Sequence, residues 1–149
     1  MTLEPKLQIF IDGIIHYFEQ TNEKFVKVHS PYLIEEGEEI ATDYTGIIDI
    51  SGAYKGSCYF TATRELLQYL IKQLGETDTS EDMMVDAIGE IANILSGNVR
   101  KQLGEEFIIS TPRVFIGKNS TMAMENNNRI YGIPLQWKTH SALIGIHLS

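Results

Sequence analysis

Several things are scarce in this chain, and each scarcity excludes something. One residue of 149 is cysteine. Cys58 therefore cannot close an internal disulfide, and no Cys/His spacing has the form of a zinc site. It lies in the alternating segment "GSCYFTA", which predicts a buried structural thiol rather than a nucleophile. The four histidines, His16, His29, His140 and His147, are scattered along the sequence, so no metal site is expected. Positive charge is also sparse: 12 Lys and Arg stand against 20 Asp and Glu, a net charge of −8. Without a basic stripe to displace counterions, neither nucleic acid nor an anionic membrane surface is an expected partner. No apolar run approaches the roughly 18 residues that span a bilayer. The first residues, "MTLEPKLQIFIDG", show neither a basic leader nor a small-residue cleavage site, so the expectation is a cytoplasmic protein. Low-complexity tracts are missing too. The apolar fraction of 43% and charged fraction of 21% suit a folded chain, and the length suits a single domain over residues 1–149.

What is present reads as an α+β pattern. Leu7, Phe10, Ile11, Ile14, Tyr17 and Phe18 recur at helical spacing and predict a helix over 3–20. Val26, Val28, Tyr32 and Ile34 predict one strand, broken or ended near Pro31. "YTGIIDISG" and "GSCYFTA" are β-rich runs separated by glycines and predict a hairpin. Thr63 can cap a helix carrying Leu66, Leu67, Leu70, Ile71 and Leu74 that stops near Gly75. A long helix follows, with Asp78 and Glu81 or Thr79 and Asp82 as capping pairs, running as far as Gly104. "EFIISTPRVFIG", "RIYGIPLQW" and "SALIGIHL" alternate as strands. Pro112 and Pro134 place the first two at edges or bend them. The expected order is α-β-β-β-α-α-β-β-β, a largely antiparallel sheet packed with long helices.

The long helix has two faces. Met84, Ile88, Ile91, Leu95 and Val99 point one way as a core stripe. Asp86, Asn93, Gly97 and Arg100 fall within about 80° of Glu90 on the opposite side, with Gly89 just beyond them. A plain solvated face would explain polar residues there. Glycine inside a helix, however, is less favourable than alanine by roughly 1 kcal/mol, so Gly89 and Gly97 mark a place where something approaches closely. Gly97 could instead end the helix, although Leu95, Val99 and Leu103 continue the period. Glu90 and Asn93 are neighbours one turn apart and project together. They are not a nucleophile and base, so any reactive bond must come from a partner.

The arrangement of Asp86, Glu90 and Asn93 with a later proline resembles the signature of the CheC/CheX/FliY family of chemotaxis phosphatases, which dephosphorylate the response regulator CheY. "SGNV" and "TGIIDISGAYKGSCYF" resemble its CheX branch, as does the order of elements. CheC members carry the motif twice. Here "IDGIIHYFE" aligns with "VDAIGEIAN", putting Asp12 opposite Asp86 and Ile14 opposite Ile88. His16 then falls at the place of Glu90 and Glu19 at that of Asn93, so one site per chain is similar to CheX. Pro112 follows Asn93 after fewer positions than in the family pattern, which leaves open whether it is the counterpart of the motif proline.

The resemblance implies a phosphatase for the phospho-aspartate of a CheY-like regulator. Asn93 would orient the attacking water, and Glu90 would pair with the regulator's active-site lysine. Asp86, Gly89, Gly97 and Arg100 would serve binding. Mg²⁺ would be supplied by the regulator, with no cofactor held by this chain, and a homodimer is implied, with "RIYGIPLQW" or "EFIISTPRVFIG" as a possible exposed edge. The alternative is a non-catalytic regulator-binding adaptor of the same fold. A small-molecule sensor would rest only on aromatics such as Phe115, Tyr131 and Trp137, which suit a core as well.

Overall fold

The computed structural model describes residues 8, 9, 12, 13, 16, 26–34, 42–53, 55–73, 75–117, 130–137 and 139–148. The helix expected over 3–20 lies largely outside them. Its few described residues are helical, and Ile9 packs against the main core.

Among the described residues, eight strands form one antiparallel sheet and two helices are described end to end. The strands are β1 (Val26–Val28), β2 (Tyr32–Leu33), β3 (Tyr44–Gly52), β4 (Gly56–Ala62), β5 (Phe107–Ile109), β6 (Arg113–Ile116), β7 (Tyr131–Trp137) and β8 (His140–Leu148). The helices are α1 (Arg64–Gln73) and α2 (Glu81–Leu103). The spatial order is β1-β7-β8-β4-β3-β5, with β2 also on β7 and β6 also on β3. The fold is thus the expected α+β class with a wholly antiparallel sheet.

Prolines account for the two strands in excess of expectation. The strand foreseen around Pro31 is two, β1 and β2, both laid on β7. The strand foreseen across Pro112 is also two, β5 and β6, both laid on β3. Between those pairings, Ser110, Thr111 and Pro112 face only Ile48 and Asp49, which is a bulge. Ser110 repairs the ladder there: its Oγ accepts from the Asp49 N–H at 2.9 Å, and its own N–H donates to the Asp49 carbonyl at 2.9 Å. Pro134 sits in β7, which is not the outermost strand, contrary to the simplest edge expectation. Its missing donor falls opposite the gap between β1 and β2, where the His29 N–H reaches the Pro134 carbonyl at 2.8 Å. Covered in this way, β7 offers no bare edge, and the outer strands on the other side are β5 and β6.

One face of the sheet carries the main core. Ile48, Phe60, Ile133, Leu135, Trp137 and Ile144 are buried there with Leu66, Leu67 and Ile71 of α1 and the α2 stripe. Cys58 is buried in this layer, and its burial pushes the thiol up to about 12, partly offset by the Ser96 hydroxyl. A smaller cluster, Ile34, Ile47 and Ile130 with Tyr59, Phe115 and Leu143, occupies the other face.

Candidate functional site

Helix α2 begins at a cap other than either one expected. Ser80 is the N-cap, its Oγ accepting from the Met83 N–H at 3.4 Å. Asp78 instead accepts from the Ser80 N–H at 2.9 Å, a local turn that sets the serine in place. Glu81 and Asp82 put negative charge in the first turn, and Arg100 and Lys101 put positive charge in the last, both favourable to the helix dipole. At the far end Gly104 takes φ +98° and donates to the Arg100 carbonyl at 2.9 Å. The helix therefore runs unbroken through Gly97. Its start is also tied sideways, because the Tyr44 hydroxyl donates to the Glu81 carboxylate.

The expected inward stripe is buried throughout. Met84, Ile88, Leu95 and Val99 are at most 2% exposed and Ile91 is 8% exposed. What seats the helix is a glycine in β3. A Cβ on Gly46 would lie 2.8 Å from the Ile88 carbonyl oxygen and 3.0 Å from the Ala92 Cβ. Backbone thus rests nearly on backbone, and only glycine permits that spacing. Gly46 pairs with Val114 of β6, and Val114 in turn touches the helix beside that rung.

Asp86, Glu90, Asn93 and Arg100 are exposed on the outer face. The two glycines differ from them and from each other. Gly89 is buried, and a Cβ there would meet Val114 Cγ2 at 3.3 Å and Pro112 Cγ at 3.5 Å. Close approach to Gly89 thus comes from within the chain, at the Pro112 bend. Gly97 is half-buried and has nothing within 4 Å of its missing Cβ. It leaves bare helix backbone beside open space.

Two open hollows flank the row. One, of about 700 Å³, is lined by Asp86, Gly89, Glu90, Pro112 and Val114 together with Met83 and the end of α1. The other, of about 610 Å³, is lined by Asn93, Gly97, Asn98, Arg100, Lys101 and Glu105 among others. Glu90 borders the first and Asn93 the second, so the pair stands between two concavities. Arg100 also has a structural tie, its Nε donating to the Phe107 carbonyl at 3.1 Å. Sequence reasoning did not single out Lys101, although it lies within about 20° of Glu90 on the helical wheel. It left open whether Pro112 belongs beside the row, and chain spacing could not supply that contact. Among the described residues, no group of three or more His, Cys, Asp or Glu is placed to hold a metal ion.

An exposed carboxylate and carboxamide thus stand one turn apart on the outer face of α2, between two hollows. The family model described as "Chemotaxis phosphatase CheX" matches residues 44–136, and the chain belongs to this family. The comparison with curated proteins returns no match. Among solved structures, a CheC-like superfamily protein from Shewanella sp. PV-4 is 26% identical with TM-score 0.82, covering 99% of both chains. CheX from Vibrio vulnificus is 25% identical with TM-score 0.80, covering 98% of this chain and all of the other. A CheX–CheY–BeF₃–Mg²⁺ complex from Borrelia burgdorferi matches at TM-score 0.79 and 17% identity, over 95% of this chain and 96% of that one. At that identity the likeness is one of fold. Among the described residues, no helix is long and apolar enough to cross a membrane.

Proposed function

We propose that this protein accelerates hydrolysis of the phospho-aspartate of a CheY-like response regulator, using Asn93 and Glu90 on the outer face of α2. The observation that carries the reading is the exposure of both side chains on a helix whose inner face is fully buried. Family membership supports the reaction class, and the Borrelia burgdorferi complex of a CheX with CheY supports the kind of partner.

An acyl phosphate is hydrolysed when water attacks phosphorus in line with the departing aspartate oxygen. Water forms the new P–O bond, the bond to aspartate breaks, and the proton of the water passes to solvent. Such catalysis is largely positioning and electrostatics. The Asn93 amide can hold that water by donating or accepting a hydrogen bond without itself titrating. Glu90, one turn earlier, pairs with a lysine of the regulator and fixes the register through a charge-assisted contact. Asp86 borders the same hollow as Glu90 and adds to the acidic rim. Mg²⁺ belongs to the regulator's side of the complex. We place the protein in the cytoplasm, acting as a homodimer.

A phosphate-release assay with the phosphorylated regulator and Mg²⁺ tests the reading. Wild-type protein should speed decay, and Asn93→Ala should lose most of that effect while keeping its helical and sheet circular dichroism. Undiminished decay with Asn93→Ala rejects the assignment. Tight binding by wild-type protein without faster decay would favour an adaptor.

A further inference from the structure

The C-terminal end of α2 holds charge for which the chemistry above has no use. Arg100 and Lys101 are both exposed and line the same hollow as Asn93 and Asn98. In a chain with a net charge of −8, two adjacent cations beside the proposed catalytic amide run against the general balance. Glu105 borders the hollow too, which leaves one net positive charge there. Arg113 pairs with Asp49, whereas neither Arg100 nor Lys101 has a carboxylate at ion-pair distance among the described residues. Arg100 is held in place by its Nε bond to the Phe107 carbonyl, and the rest of its guanidinium fork remains available to an acceptor. Gly97, with open space where a side chain would stand, keeps the floor between these groups clear.

We infer that this hollow is a second contact for the same regulator and receives a carboxylate-bearing segment of it. The inference rests on the proposed function and extends it, because α2 would then read its partner through two opposite charges. The hollow, at about 610 Å³, falls within the size range of ligand pockets, roughly 300–1,000 Å³, and so has room for a loop or helix end rather than a single small ion. Ten residues of helix separate Glu90 from Arg100, about 15 Å at 1.5 Å per residue. That exceeds the Debye length of about 8 Å at physiological salt, so the acidic and basic ends act on separate parts of the partner. A partner with a cation and an anion at the matching separation docks in one direction only. A reversed or slipped partner meets like charges. An acidic chain can then hold a carboxylate-bearing segment of its partner through local complementarity despite its own overall charge of −8.

The test is the association rate of the full chain with a regulator charged with beryllium fluoride and Mg²⁺, measured from low to high salt. Lys101→Glu is the primary variant because Lys101 carries no structural bond. It should slow association by about tenfold at low salt and flatten the salt dependence, with only the small drop in melting temperature that reversing a last-turn charge against the helix dipole brings. Lys101→Gln should fall between it and wild type, and reversing one acidic residue of the regulator should restore the rate to Lys101→Glu. If wild-type protein binds but Lys101→Glu matches it in rate and salt slope, this inference alone fails. If wild-type protein binds no regulator, the proposed function fails and this inference with it. Competition by inorganic phosphate against wild type but not against Lys101→Glu would assign the hollow to an ion and overturn the proposal.

Discussion

The two faces of α2 are made from one backbone yet carry opposite kinds of information. Inward, Met84, Ile88, Ile91, Ala92, Leu95 and Val99 are apolar and pack in the core with the sheet and α1, and the Ser96 side chain is buried among them. Outward, Asp86, Glu90, Asn93 and Arg100 are exposed, and only Arg100 has a hydrogen bond to the fold that bears on α2's seating. The inner face therefore decides whether the helix exists where it does, and the outer face decides what the helix is for. The two should separate cleanly in experiment: inner substitutions cost stability and outer ones cost partner chemistry.

The largest expected effect is on the inner side. Ile88→Ala, at a fully buried position, should destabilise the protein by about 2–5 kcal/mol, read as a shift in the urea midpoint. A loss below about 0.5 kcal/mol would show that the stripe is not the seat of the helix. Next is its outer counterpart. Asn93→Ala should leave the midpoint within about 0.5 kcal/mol of wild type and reduce the acceleration of phospho-regulator decay on the order of 100-fold. A large stability loss here would blur the division between the faces.

The glycines sharpen the comparison at smaller scale. Gly97→Ala adds a methyl to open space and should stabilise the helix by up to about 1 kcal/mol. Gly89→Ala gains the same propensity but pushes on Val114 at 3.3 Å, so it should end less stable than Gly97→Ala by about 1 kcal/mol. Equal midpoints would mean that the Pro112 bend yields freely.

The last effect is absent at neutral pH and concerns the layer beneath the helix. Burial raises the Cys58 thiol from 9.0 to about 12, so the folded state favours the neutral form. The associated stability is complete below pH 9 and is lost as pH rises toward about 12. Cys58→Ala should flatten the fall in urea midpoint over that window, and a thiol reagent at neutral pH should label wild-type protein only after unfolding.

Much of this was readable from local pattern. The stripe Met84 to Val99 follows from helical periodicity, the β3–β4 hairpin from two β-rich runs and the glycines between them, and the stops at Gly75 and Gly104 from glycine's tolerance of positive φ. Local pattern could not say that Pro31 and Pro112 each divide a strand in two, since a proline reports a lost donor without saying whether pairing resumes. Nor could it choose Ser80 over Asp78 and Thr79, because three adjacent cap formers compete and packing decides. The outward placement of Glu90 and Asn93 was legible from phase alone. Their surroundings were not: Pro112 reaches Gly89 through the register of β6 on β3, a contact between segments that the sequence keeps apart. The clue to α2's seating was Gly46 inside an otherwise β-rich run, since a glycine in a strand often marks another backbone passing close by.

That seating has a consequence for how the surface can vary. Because α2 rests at Gly46 on main-chain atoms, with a Cβ there only 2.8 Å from the Ile88 carbonyl oxygen, the elevation of the helix above the sheet is set by peptide dimensions rather than by side-chain bulk. Core residues farther along the stripe can be exchanged for others of similar volume while the distance by which Asn93 protrudes stays the same. Reach is thereby insulated from repacking, and a bulky residue at position 46 would lift the whole row at once.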